Sequence, residues 1–563
     1  MNPTISLTRS WQPEALLDRA GGWRTLSDDL HTRTADYRSA VGDVSAAWAG
    51  EASEAARVMA GAIVQRVDAL ATGLRQVADA AEDAHFRVAA GRGAVLDAVA
   101  TAEGDGFEIS EYGAAQASAA LRSIATASSD PSALAVLHER EMRWSTDIAA
   151  ALARLANIDL SAAALLRRAA DLLPLPAPMP PIGATPEDRR RWWESLSTGQ
   201  QHMLLGEHPA LIGGLDGLPA RVRDEANRAR LDDLRARWES TLAAHRSTLA
   251  QLDARDPGGA EGPVTMAARR EVLDRIAEAQ LRLLDLDAVR ANLAGDDRLL
   301  LLLDTDSGAQ TRAAMAIGDP DAADHVSVTT GGITTTVRDS LNGMVSEGEQ
   351  LREEAIAQLR AADRETESVA VIAWLGYDAP QIADGGPGVV DILTREHAER
   401  GAVDLNGFFR GLDAANGEHD ANVSAFGHSY GSLTTSLALQ HDPSHGVDAA
   451  VFYGSPGVAA AAGETITDRL GVDEVHEMTA HRDPVAHIPW FGTNPSDLPG
   501  VERLSTDPVV TPDGVARDGA DGHSDYARPG SNGELRVTGY NLAAVLADTG
   551  NEIPHRAPGW WST

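Results

Sequence analysis

Gly427-His428-Ser429-Tyr430-Gly431 holds a serine with a glycine two residues to either side. Glycines so placed let a strand turn sharply into a helix and lift a serine hydroxyl clear at the turn. In a chain of 563 residues with 52 glycines, such a pentapeptide arises by chance about 0.3 times, so the spacing alone is weak. Its flanks are stronger, because Asn422–Phe426 reads as a buried strand and Leu433–Gln440 as a helix. A serine hydroxyl needs a base to take its proton, and the base needs a carboxylate to orient it. In a strand–turn–helix site the chain order is serine, acid, histidine. Asp483, in His481-Arg482-Asp483-Pro484, follows the strand-like run 475–480, and His523 lies further on in a glycine-rich loop before a helix expected over 540–548. Of the other histidines, His428 reads as packing beside the serine and His481 and His487 crowd the acid, with His555 the remaining rival. Asp473 and Asp507 compete with Asp483, but neither follows a strand. The backbone N–H of Tyr430 is one expected oxyanion donor, and that of Gly332, after the strand-like run 325–330, the other. Tyr377, Trp490 and Phe491 follow strands near the same edge and are expected to bind substrate; Trp374 reads equally well as core.

These residues sit in the second half of a chain whose pattern changes midway. From Met59 the apolar positions Ile63, Val67, Leu70, Leu74, Val77, Ala81, Ala84 and Val88 recur every three or four residues, one face of a helix. A partner helix is expected over 14–47, with Trp48-Ala49-Gly50 between the two and more helix to about Leu173. Five prolines between Pro174 and Pro181 forbid helix and predict a stiff linker. Thr185-Pro186-Glu187-Asp188 restarts a helix with a cap, a proline and acids at the positive end of the dipole. Long helices are expected over 219–254 and up to about Leu293, broken by the glycines and prolines of 256–263. Short apolar runs then recur at 299–303, 325–330, 369–375, 422–426, 449–453 and 475–480, with helical segments such as 340–362, 401–415 and 432–441 between them. Buried strands alternating with helices predict a mostly parallel sheet covered on both faces.

Composition narrows the function classes. A net charge of −35 with no segregated basic patch argues against nucleic acid or an anionic membrane as partner. With no cysteine there are no disulfides, thiolate nucleophiles or thiolate metal sites, and no other metal-ligand motif, P-loop or dinucleotide fingerprint is present, so neither cofactor nor metal is expected. The N-terminus lacks the layout of a cleavable signal peptide, and no run reaches the roughly 18 apolar residues of a membrane span. Cytoplasm and export are both compatible with this composition.

Several segments resemble an actinobacterial family of α/β-hydrolases labelled a domain of unknown function: residues 190–228, VAVIAWLGYDAP (369–380), FGHSYGS (426–432), YGSPGV (453–458) and HRDPVAHIP (481–489). The resemblance spans about 185–550 and implies Ser429, Asp483 and His523 as the triad. It implies no substrate. Where proline-glycine is expected in the first loop, this chain has TTGGIT (329–334). The first hundred residues resemble the WxG helical hairpins associated with type VII secretion, with Trp48-Ala49-Gly50 at the turn; Tyr112 is followed four residues on by Gln116 where that tail signal has an acid.

The expectation is an α/β fold: an α/β-hydrolase domain at 296–563 preceded by an all-α region. That region comprises a hairpin at 1–110, further helix at 111–173, the linker 174–184 and helices at 185–295 that pack on the hydrolase. The expected function is serine hydrolysis of a small-molecule carboxylic ester or related acyl substrate through an acyl-enzyme, with the hairpin binding a helical partner or itself. The alternative is a non-catalytic interaction or secretion-associated protein with the α/β domain as scaffold.

Overall fold

The computed structural model describes residues 3–555 apart from 48–49, 172, 174–176, 256–262, 296, 383–393, 418, 462, 464, 489 and 551–553. It divides into two compact units, Met1–Pro178 with Leu196–Met203, and Met179–Ser195 with Leu204–Thr563.

In the first unit the helices Glu14–Ala47, Glu51–Gly104 and Ala133–Asp171 dominate. Ala20 meets Ala78 and Ala81 in a small-residue contact, and Val95, Val99 and Ala102 pack on Ile148, Ala151, Leu152 and Leu155. The apolar stripe read from Met59 onward is therefore split. Leu74, Val77, Ala81 and Val88 are buried within the unit, whereas Val58, Met59 and Ile63 are exposed. Trp48 and Ala49, the expected hairpin turn, lie outside the described residues. Between the second and third long helices, where continuous helix was expected, the short strands Phe107–Ile109 and Ala115–Ala117 pair antiparallel. Among the described residues one helix, Ala133–Asp171, is long and apolar enough to cross a bilayer by length and composition, where the sequence reading expected no such run.

The second unit is built on an eight-stranded sheet. Its strands are β1 (Arg298–Asp304), β2 (Arg312–Ile317), β3 (His325–Thr330), β4 (Val369–Leu375), β5 (Asn422–His428), β6 (Ala449–Tyr453), β7 (Glu474–Met478) and β8 (Val501–Arg503). They lie side by side in the order β1-β2-β4-β3-β5-β6-β7-β8. β2 runs antiparallel to β1 and β4, and every other neighbouring pair is parallel. Side chains alternate between two apolar faces, which is why the strands read as continuous apolar runs. Ile372, Ala425 and Phe452 point to a core shared with Leu405, Phe408 and Leu412 of the helix Glu396–Asn416 and Leu433 of Tyr430–His441. Their neighbours Val371, Phe426 and Val451 meet Leu351, Ala355 and Leu359 of Val337–Ala361 and Leu542 to Leu546 of Val537–Leu546.

The edge strand β1 is covered rather than left open. Asp224 accepts the Leu300 N–H at 2.7 Å, and Asn227 Nδ2 donates to the Leu300 carbonyl at 2.9 Å and to the Gly213 carbonyl at 3.1 Å. The helix Ala220–Ala229 thus occupies polar groups that would otherwise invite another chain. The long helix expected over 219–254 is broken at Arg230, the C-cap of this short piece, before Leu231–Arg255 begins. Replacing Asn227 by leucine leaves two carbonyls unpaired. Denaturant unfolding is expected to show a loss of about 1–3 kcal/mol.

Candidate active site

Ser429 stands between β5 and the helix Tyr430–His441 with φ 54° and ψ −129°, a left-handed backbone that a non-glycine residue rarely adopts. Surrounding bonds hold it there. Its N–H donates to the Tyr453 carbonyl at 3.0 Å, and its own carbonyl accepts from Ser432 Oγ at 2.5 Å. Ser455 Oγ lies 2.6 Å from Ser432 Oγ, so β6 and its following loop brace the turn.

His523 Nε2 is 2.9 Å from Ser429 Oγ, and His523 Nδ1 is 3.0 Å from both carboxylate oxygens of Asp483. Asp483 is fully buried in the loop after β7. Burial pushes its carboxyl up, but hydrogen bonds from His523 and Tyr526, the His523 charge and the Val485 N–H together hold it below the usual carboxylate range. The Val485 N–H donates to Oδ1 at 2.9 Å and the Tyr526 hydroxyl to Oδ2 at 2.7 Å.

The loop that carries His523 is long, and Arg517 pins its base. That guanidinium is buried, with Nη2 2.9 Å from Glu354 and 2.7 Å from Asp513, and Nη1 3.1 Å from the Leu535 carbonyl. The Arg482 N–H donates to the Asp521 carbonyl at 3.0 Å, linking the acid's loop to the histidine's.

Three contributors escaped the sequence reading or were only half seen. Tyr526 bridges Asp483 and the Ala480 N–H, which it accepts at 2.8 Å. His428, read as packing, stacks between Tyr453 and His523 with ring centroids 5.0 and 4.9 Å away, and its Nε2 is 3.0 Å from the His523 carbonyl. Burial, then the His523 charge, push its pKa down to about 4, so it is neutral near pH 7 and Nε2–H donates. Gly454, in a segment quoted only for its resemblance, has φ 59°, and a Cβ there would lie 3.1 Å from Asp483 Oδ2 and 3.2 Å from His523 Cε1. Gly454→Ala is expected to cut any turnover at Ser429 by about 10²-fold or more by displacing the His–Asp pair, with the loss in kcat rather than KM.

Gly332 lies against the serine; a Cβ there would come within 2.7 Å of Ser429 Cβ. Among the described residues no hydrogen bond uses the N–H of Gly332 or of Tyr430. Tyr377 was expected to bind substrate. Instead it is buried, stacks on Trp374 at 5.8 Å and donates its hydroxyl to the Gly331 carbonyl at 2.8 Å, so it positions this loop from behind. Phe491 packs edge-on against Tyr430 at 5.1 Å, and Trp490 is exposed. The cavity at Ser429, about 450 Å³, is lined by other residues: the loop 331–335, one face of Val337–Ala361, Ile382, Tyr453, Val485 and the segment 523–528. His481, His487 and His555 make no contact with Ser429 or Asp483 among the hydrogen bonds described.

Comparison with known proteins agrees with this architecture. A family model described as alpha/beta hydrolase matches residues 306–493, a range that includes Ser429 and Asp483 and ends before His523. An uncharacterized protein of Mycobacterium tuberculosis is 41% identical over 247 residues, covering 42% of this chain and 88% of the relative, and one from Mycobacterium bovis matches to the same extent. Another uncharacterized Mycobacterium tuberculosis protein is 29% identical over 316 residues, 56% of this chain and 46% of its own length. The chain belongs to the alpha/beta-hydrolase family, which supports a hydrolytic function in general terms.

Proposed function

We propose that this protein is a serine hydrolase that cleaves a carboxylic ester, or a related acyl bond, through an acyl-enzyme. One observation carries the reading: the unbroken line from Ser429 Oγ through His523 to a buried Asp483, at 2.9 and 3.0 Å, on a strained turn. Ser429 Oγ attacks the acyl carbon as His523 Nε2 takes its proton. Asp483 holds the proton on Nδ1 and steadies the imidazolium. The oxyanion is received by the N–H groups of Tyr430 and Gly332. His523 then protonates the departing alcohol, and a water deprotonated by the same nitrogen releases the acid. The test is a fluorophosphonate probe on the full chain. Labelling at Ser429 is expected, and well-folded protein that stays unlabelled favours the scaffold alternative.

We further propose that the N-terminal helical unit binds a helical partner or a second copy through the end of Glu51–Gly104 that carries exposed Val58, Met59 and Ile63. Sedimentation of the full chain is expected to show association that the double substitution Met59→Asp, Ile63→Asp removes without changing hydrolysis.

A further inference from the structure

The cavity beside Ser429 has a polar feature that the serine, histidine and aspartate do not use. Ser340, Gly343, Met344 and Glu347 line it from one face of the helix Val337–Ala361. Tyr453, at the end of β6, lines the same cavity and is only 4% exposed. Burial, then the Glu347 charge, push its phenol up, and both residues line the cavity and the recess beyond it. Burial likewise holds the Glu347 carboxyl above its usual range, with the Arg528 charge pulling the other way. Among the described residues no hydrogen bond reaches the Tyr453 hydroxyl or the Glu347 carboxylate.

This pair stands close to the chemistry. The Tyr453 ring stacks on His428 at 5.0 Å, and His428 stacks on His523 at 4.9 Å. Beyond Glu347 and Tyr453 a recess lined by Gly348, Leu351, Leu535 and Leu542 offers about 20 Å³, room for about one water and not for the continuation of an alkyl chain. An alkyl group laid against a partly desolvated carboxylate and phenol strips them of water and gives nothing back. A hydroxyl or ammonium group satisfies both.

We propose that Glu347 and Tyr453 form a donor-binding subsite, and that this enzyme's substrates carry a hydroxyl or ammonium group near the scissile ester rather than a plain aliphatic chain. The inference rests on the serine-hydrolase reading above and names its substrate class. Sites built on hydrogen-bonding groups reject analogues that lack the matching group far more strongly than apolar pockets reject a missing methylene.

The test uses the full chain and p-nitrophenyl esters of hexanoic acid and of its terminal hydroxy and amino derivatives, with butanoic analogues carrying the donor at the β-carbon. At least one donor-bearing ester is expected to exceed its plain counterpart in kcat/KM by about tenfold or more. Which derivative leads distinguishes hydroxyl from ammonium. Glu347→Leu is expected to erase the preference, and Tyr453→Phe to weaken it, while both variants still label at Ser429 with fluorophosphonate. If the wild type labels normally yet takes the plain esters equally well, the subsite is overturned and the hydrolase reading survives. A preference that persists undiminished in both variants also overturns the subsite. Wild-type protein that does not label at Ser429 overturns the hydrolase reading and the subsite with it.

Discussion

Ser429→Ala is expected to lower kcat/KM for the best ester by about 10⁴-fold or more while leaving the unfolding midpoint nearly unchanged. Alanine keeps the Cβ, so the φ of 54° costs no more in the variant than in the wild type. The turn's supports are backbone groups and Ser432, all retained. What disappears is the Oγ that sits 2.9 Å from His523 Nε2, hence the covalent step itself. The measurement is steady-state hydrolysis of chromogenic esters beside thermal unfolding. Residual activity above about one part in a hundred places the nucleophile elsewhere.

Asp483→Asn is expected to be almost as damaging, by about 10³–10⁴-fold in kcat, for a different reason. The Val485 N–H donates to one carboxylate oxygen and the Tyr526 hydroxyl to the other, while His523 Nδ1 is 3.0 Å from both. With the asparagine oxygen kept on Val485, its NH₂ faces the imidazole and draws the ring proton to Nε2. That nitrogen then points a hydrogen at Ser429 and cannot accept one. Fluorophosphonate labelling of Ser429 should slow in parallel with ester turnover, which a change confined to substrate binding does not produce. The pH dependence of stability carries a second signature. Because the folded carboxyl is held below its usual range, its stabilising contribution is full above about pH 4 and is lost as pH falls through the lowered value. The wild type's margin over Asp483→Asn should therefore shrink in strong acid. A margin that instead grows in acid contradicts the hydrogen-bonding described for Asp483.

Much of the hydrolase half was legible in the chain because its strands are buried on both faces. Runs such as Val369–Leu375 and Ala449–Tyr453 therefore carry no polar interruption, and they form strands with those bounds. β2 was not legible. Arg-Ala-Ala-Met-Ala-Ile has helix-forming composition, and only pairing between β1 and β4 makes it a strand. β8, three residues long, has no signal of its own and exists because β7 offers an edge. The short helix Ala220–Ala229 separates from its successor because Asp224 and Asn227 find backbone groups on β1, partners remote in sequence.

At the candidate site, the sequence alone determined which residue types could do the proposed chemistry and in what order, because the strand–turn–helix at Ser429 is a local pattern and Asp483 and His523 stand at strand and loop positions readable in one dimension. Only the tertiary structure decided which groups meet them. Tyr526 on Asp483, His428 under His523 and Gly454 against both are contacts made at the carboxyl ends of β5, β6 and β7, with no signature in spacing. The cavity walls were likewise hidden. Tyr377 and Phe491 follow strands as an acyl pocket's residues would, but their rings turn inward to Trp374 and Tyr430, where burying aromatic area is most favourable. The wall falls instead to one face of Val337–Ala361, whose glutamate was indistinguishable in the sequence from the solvated acids around it, because burial is a property of the packed molecule and not of the chain.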